Sequence, residues 1–146
     1  MAKELAARCI VAGVAAGEVV ATSQSISFWG GVDPATGLIN DPRHELFSQS
    51  IAGKILVFPF GKGSSTSSLM ILELVRVNKA PAAMINIQTE PILATGPIVC
   101  KHFYGREIPV VTLEKALFDT LKSGQYAQVN ATLGRVVVSE KLVDKA

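Results

Sequence analysis

Between a short apolar run, Lys54-Ile55-Leu56-Val57-Phe58-Pro59, and a longer one from Leu69 to Val77, the chain carries Gly61-Lys62-Gly63-Ser64-Ser65-Thr66. Glycines allow a tight turn and let a ligand approach the backbone closely. Serine and threonine are favoured helix N-caps, so a helix is expected to begin near Ser64 to Thr66. Its N-terminus would offer unpaired N–H groups and a positive dipole end, which suit a carboxylate or a phosphate. Ser64 and Ser65 stand at that mouth, with Gly63 between them and Lys62. A hydroxyl there could transfer a proton if the N–H groups and the lysine charge stabilised its oxyanion. The same residues also make an ordinary capped helix after a flexible turn, and residue types alone do not separate the two. The Gly-x4-Gly-Lys-Ser/Thr order of a P-loop is absent.

A second candidate is Ser27-Phe28-Trp29-Gly30-Gly31-Val32-Asp33-Pro34, with the only tryptophan, an acid and a glycine pair. Packing alone does not demand that combination in a loop, so Gly30, Gly31 and Asp33 are candidate substrate contacts. The alternative is a surface turn whose aromatic residues fold onto the core. His44, between Arg43 and Glu45, reads as a solvated loop residue. Cys100 and His102 are spaced i, i+2, which turns the two side chains apart on a helix, and no metal site is read there. Cys9 and Cys100, each in an apolar setting, are expected to be buried free thiols. Two cysteines are too few for an iron–sulfur cluster, which typically takes three or four thiolates.

The scaffold that must position these residues is of the α/β class. Two strands are expected within residues 8–22, and mostly loop from 23 to 53, punctuated by Gly30-Gly31, Asp33-Pro34 and Asp41-Pro42. The run 54–59 is continuously apolar, as in a strand buried on both faces of a parallel sheet. The helix after the serines is apolar nearly all round, except for Glu73 and Arg76, and is expected to be buried. A strand at 82–87, a short helix between Ile92 and Phe103, a strand at 108–111 and a helix over 113–122 follow. A hairpin at 128–133 and 135–138 closes the chain. β-rich ends thus surround a βαβαβ middle. Residues 1–146 are read as a single domain with a core over about 8–138 and a polar C-terminal tail.

At 146 residues the chain can bury a core of its own. Hydrophobic residues at 49% and charged ones at 18% exclude disorder, and the apolar excess suits a partner interface. A net charge of +2 without a Lys/Arg run argues against nucleic-acid binding. No apolar stretch approaches the roughly 18 residues of a membrane span, and the first residues lack a signal-peptide layout. A cytoplasmic protein is expected.

Three segments together resemble the small swivel subunit of aconitase X proteins. They are Ser27-Phe28-Trp29-Gly30-Gly31-Val32-Asp33-Pro34-Ala35-Thr36-Gly37, Gln49-Ser50-Ile51-Ala52-Gly53-Lys54-Ile55-Leu56-Val57 and Gly61-Lys62-Gly63-Ser64-Ser65. Lys79-Ala80-Pro81-Ala82-Ala83, Ile92-Leu93-Ala94-Thr95-Gly96 and Ile108-Pro109-Val110-Val111 extend the likeness over about residues 8–138. The resemblance implies a swivelling β/β/α domain and a dehydratase, a hydro-lyase, formed as a heterodimer with a large subunit. In the wider aconitase superfamily this domain contributes a Gly-Ser-Ser loop whose first serine is the base, and Ser64 occupies that position. Ser65, Gly63 and Lys62 would contact substrate. The resemblance places the iron–sulfur cluster on the large subunit, with none bound by this chain. Aconitase and isopropylmalate isomerase follow the serines with a carboxylate-gripping Arg, where this chain has Thr66, which argues against citrate-like substrates.

Family members act on cis-3-hydroxy-L-proline in bacteria or on mevalonate 5-phosphate in archaea. The modest charge content lacks the ion-pair-rich surface of hyperthermophiles, which tilts the expectation towards the hydroxyproline. Two other classes stand beside this reading. A mobile phosphotransfer carrier would need a histidine ahead of the Gly105-to-Val111 passage, for which His102 is too close and His44 too far. A non-catalytic structural subunit would not need a working Ser64.

Overall fold

The computed structural model describes residues 3–61, 66–89 and 91–140, apart from the side chains of Trp29, Thr66, Ser67, Pro91 and Ile92. The elements are β1 (Lys3–Ala6), β2 (Arg8–Val11), β3 (Val14–Ala21), α1 (Phe28–Gly31), β4 (Ile55–Val57) and α2 (Thr66–Arg76). There follow β5 (Ala83–Asn86), α3 (Pro91–Tyr104), β6 (Val110–Thr112), α4 (Lys115–Phe118), β7 (Tyr126–Asn130) and β8 (Arg135–Ser139).

The strands are ordered β1-β8-β7-β3-β4-β5-β6-β2. β3, β4, β5 and β6 are parallel, β2 runs antiparallel to β6, and the β1-β8-β7-β3 half is antiparallel throughout. β3 serves both halves, pairing with β7 through Val14–Glu18 and with β4 through Val19–Ala21. The two terminal strands of this order, β1 and β2, are joined by Ala7 alone, so the sheet must curl until its ends meet.

Successive strand residues face opposite ways, and both faces of the parallel half are covered. Ile55 and Val57 of β4, Ile85 of β5 and Val111 of β6 point inward to Leu5, Val129 and Val136 of the antiparallel half. Leu56, Met84 and Val110 point outward to Ile71, Leu74 and Val75 of α2 and to Leu93 and Cys100 of α3. The result is a β/β/α stack, and it explains why β4 reads as unbroken apolar sequence. α3 lies tightly on α2: a Cβ added at Gly96 would sit 3.1 Å from the Ile71 Cβ.

Several expectations are corrected. β1 adds a strand that the pattern did not mark, and the loop over 23–53 contains the helical turn α1. α2 is not buried all round, because Leu69 is 62% exposed. The helix expected over 113–122 is a single turn. Thr120 and Leu121 donate their N–H groups three residues back, to Leu117 and Phe118, and the Thr120 hydroxyl also donates to Leu117 O at 2.7 Å. These contacts tighten and end the winding.

Candidate functional site

Ligands of parallel α/β sheets bind beyond the carboxyl ends of the strands. Here the parallel strands end at Ala21, Val57, Asn86 and Thr112. The glycine–serine segment leaves from β4, and α2 begins at Thr66, within the start expected from the sequence. Lys62, Gly63, Ser64 and Ser65 lie outside the described residues, so the site is read from the walls that hold them.

The root of the loop, residues 58–61, is gripped on both sides. On one side Phe58 N–H bonds Ile85 O at 3.1 Å, and Ile87 N–H bonds Pro59 O at 2.9 Å. On the other, Ile26 N–H reaches Phe60 O at 3.4 Å, and Ile26 and Gly61 form a parallel bridge. Gly61 passes over α3, where an added Cβ would meet Leu93 Cδ2 at 3.3 Å. Asn86, fully buried, donates its side-chain N–H to Phe58 O at 2.9 Å and accepts from the Thr89 hydroxyl at 2.8 Å. Sequence reasoning missed Asn86. The signal was present, since asparagine is depleted in strands and costly to bury unpaired.

The tryptophan-bearing segment converges on the same place. Phe28 is buried edge-on against Phe58, with ring centroids 6.0 Å apart, so α1 is fastened to the loop root. Gly30 is exposed at φ +85°, and a Cβ added there would meet nothing within 4 Å among the described residues. Gly31 O accepts from Asn40 N–H at 2.8 Å. Asp33 serves its own turn: Oδ1 accepts from Ala35 N–H at 2.9 Å, and its carbonyl accepts from Gly37 N–H at 2.8 Å. The structure therefore brings Gly30 and Gly31 to the loop root through Phe28 and engages the Asp33 carboxylate locally.

Residues 22–26, which flank Gly61, are splinted by residues 44–46. The Thr22 hydroxyl donates to Glu45 Oε2, which also accepts from Ser23 N–H at 3.2 Å. Contrary to the solvated reading, His44 is half-buried and uses both ring nitrogens. Nδ1 accepts from Leu46 N–H at 3.0 Å, so Nε2 carries the proton and donates to Ser25 O at 3.2 Å.

The cysteines differ from each other. Cys9 is exposed, not buried, because the β2–β6 register shifts between Cys9 and Val11 and breaks the face alternation. Cys100 is buried, and burial pushes its thiol up to about 11, slightly opposed by the Arg106 charge. Among the described residues no group of three or more His, Cys, Asp or Glu could hold a metal ion. With two cysteines in such different surroundings, the chain's own donors do not fit an iron–sulfur cluster. No helix of the described residues is long and apolar enough to cross a membrane.

Comparison with known proteins adds the following. A family model described as the aconitase X swivel domain matches residues 4–138. The chain is 43% identical over 134 residues to a protein of Methanosarcina acetivorans named phosphomevalonate dehydratase small subunit, covering 91% of this chain and 89% of that one. It is 44% identical over 137 residues to the protein of that name from Thermococcus kodakarensis, covering 94% and 97%. The crystal structure of Thermococcus kodakaraensis aconitase X in its holo-form superposes with a TM-score of 0.85 at 43% identity, over 94% of this chain and 99% of that one. These names give no support to the expected cis-3-hydroxy-L-proline. The charge content that suggested the hydroxyproline reports on working temperature and carries no information about substrate.

Proposed function

The chain belongs to the aconitase X swivel-domain family, and on that basis we propose that it is the small subunit of a hydro-lyase that dehydrates mevalonate 5-phosphate. The observation that carries the reading is the near-full-length match to small subunits of that name at 43% and 44% identity. In this reading a large subunit completes the active site as a heterodimer, and Leu69 and Phe60, exposed on either side of the loop, face it. The iron–sulfur cluster implied by the family resides on that partner.

Dehydration breaks a C–H bond next to the substrate carboxylate. Its electron pair becomes the new C=C bond, and the hydroxyl leaves the neighbouring carbon as hydroxide, which combines with the proton taken up by the base to give water and restore the base. Ser64 takes the proton. A serine oxygen is a poor base unless its alkoxide is stabilised, and the positive dipole end of α2 together with Lys62 is what this chain offers for that purpose. Gly63, Ser65 and Lys62 hold substrate oxygens, for which a helix N-terminus is suited whether they belong to carboxylate or phosphate. Gly30 and Gly31 close the pocket from the α1 side.

The test is co-expression with a large subunit of the family and steady-state kinetics on both family substrates. Mevalonate 5-phosphate should have the higher kcat/KM; a preference for cis-3-hydroxy-L-proline would reverse the substrate assignment. Ser64→Ala should lower kcat by about 10²–10⁴, the scale of a general base, while co-elution and circular dichroism stay unchanged. Near-normal turnover of the assembled Ser64→Ala enzyme would reduce Ser64 to a helix cap.

A further inference from the structure

We propose that Asn86 is a positioning residue for the loop root at residues 58–61, from which the glycine–serine segment leaves, its side-chain amide filling a one-residue slip in the β4–β5 ladder there; the proposal rests on the function given above.

In a regular parallel ladder, a residue whose N–H bonds the carbonyl of one partner residue accepts, at its own carbonyl, from the N–H two residues further along that partner. Phe58 N–H bonds Ile85 O, so Phe58 O should receive Ile87 N–H. It does not: Ile87 N–H goes to Pro59 O at 2.9 Å, and Gln88 N–H to the same oxygen at 3.2 Å. The ladder has moved on by one residue where β4 turns out towards the loop. Phe58 O is taken instead by Asn86 Nδ2 at 2.9 Å.

Asn86 is fitted to this task by its chemistry. A carbonyl can only accept, so the amide nitrogen must face Phe58. That leaves Oδ1 for a donor, and the Thr89 hydroxyl supplies it at 2.8 Å. Thr89 stands in the connection from β5 to α3, so one side chain joins β4, β5 and that connection. The other residues of β5, Ala83, Met84 and Ile85, are apolar and fully buried. Packing alone would favour another apolar residue at 86, whereas the slip requires a donor and an acceptor on one short side chain. Without the amide the ladder can return to regular register. That would draw Gly61 along by up to one strand step, about 3.3 Å. A misplacement of even 1 Å at a reacting group can cost about 10² in rate.

The experiment uses the complex with the large subunit and three variants. Asn86→Leu removes both bonds, Thr89→Val removes one, and Asn86→Asp keeps the shape but supplies a donor only when protonated. For Asn86→Leu, kcat should fall about 10²-fold with KM changed less than about threefold. Thr89→Val should lie between that variant and wild type, and it carries the test if Asn86→Leu does not fold. Asn86→Asp should recover kcat relative to wild type as the pH is lowered, since only the acid form donates to Phe58 O and burial raises the pH at which that form appears. In the isolated chain, hydrogen exchange at the bonded root amides of Ile26, Phe58 and Ile87 should quicken in Asn86→Leu. Gln125→Ala, another buried polar residue, whose side chain accepts from Lys122 N–H at 2.8 Å, should lower Tm and leave kcat alone.

Variants that lose thermal stability but keep the kcat of the assembled enzyme would overturn the proposal, as would a fall in kcat with exchange at the root unchanged. A wild-type complex without dehydratase activity refutes the function instead, and the exchange measurement then decides the positioning role by itself.

Discussion

Phe28→Ala separates a packed aromatic turn from a substrate-contacting one. Phe28 is 1% exposed and Phe58 is fully buried, with their rings edge to face. Truncating a buried phenylalanine to alanine costs about 3–5 kcal/mol. At about 2.1 cal/mol/K per residue, the unfolding entropy of a 146-residue chain is roughly 0.3 kcal/mol per degree. Tm of the isolated chain should therefore fall by about 10–16 °C. Phe28→Leu, which keeps most of the volume, should cost about 1–1.5 kcal/mol. In a double-mutant cycle with Phe58→Leu, the coupling should be about 1 kcal/mol, the worth of an edge-on pair beyond its burial. Thermal unfolding followed by circular dichroism gives all four corners of the cycle. A loss below about 1 kcal/mol for Phe28→Ala, or a coupling near zero, would show that α1 is not fastened to the loop root. In the assembled enzyme Phe28→Leu should raise KM more than it lowers kcat, because α1 carries Gly30 and Gly31. An unchanged KM with reduced stability would return the segment to packing alone.

Two further results are expected. The Cys100 thiol, ordinarily near 9.0, is raised to about 11 by burial, so between those values the unfolded chain releases a proton that the folded chain keeps. Stability is then fully present below pH 9 and should fall by at most about 3 kcal/mol as the pH rises towards 11; Cys100→Ala should flatten that part of the stability–pH curve relative to wild type, and parallel curves would refute the assignment. Leu69→Glu should leave the Tm of the isolated chain within about 2 °C, since Leu69 is 62% exposed, yet weaken co-elution with the large subunit at least about tenfold; undiminished assembly would move the interface away from the loop.

The parallel core was legible because burial on both faces leaves a local mark, the unbroken apolar run of β4 and the apolar Ala83-Met84-Ile85 of β5. β1 left none: only Leu5 of its four residues is buried, and its place is set by β8, more than a hundred residues away in sequence. α1 was hidden for the opposite reason. A four-residue turn with two glycines has too little periodicity to register, and its Phe28 ring packs on a residue thirty positions later. α2 read as wholly buried because side-chain type reports apolarity and not what covers it. Within α2, Leu69 is the large apolar side chain among the described residues that the isolated chain leaves exposed.

For the site, the sequence singles out residues whose types could do chemistry, and it does not single out the residues that hold the loop root. Lys62, Ser64 and Ser65 stand out because polar residues beside glycines at a strand–helix junction are conspicuous in one dimension. Asn86, Thr22 and His44 are not, because each owes its place to a partner from another segment: Phe58 O for Asn86, Glu45 for Thr22, Ser25 O for His44. Their common signature is a polar residue where the local pattern asks for an apolar or indifferent one. Asn86 closes an all-apolar strand, and Thr22 directly follows the Val19-Val20-Ala21 run. A buried polar group without a partner costs more than any local propensity can offset, so such a residue implies a bond to another segment before the fold is known. Both sit at carboxyl ends of the parallel strands, the edge where a ligand is expected. A strand-end polar residue in an otherwise apolar run is therefore a sign that the neighbouring loop must be held in one place, and in this chain that loop carries Ser64.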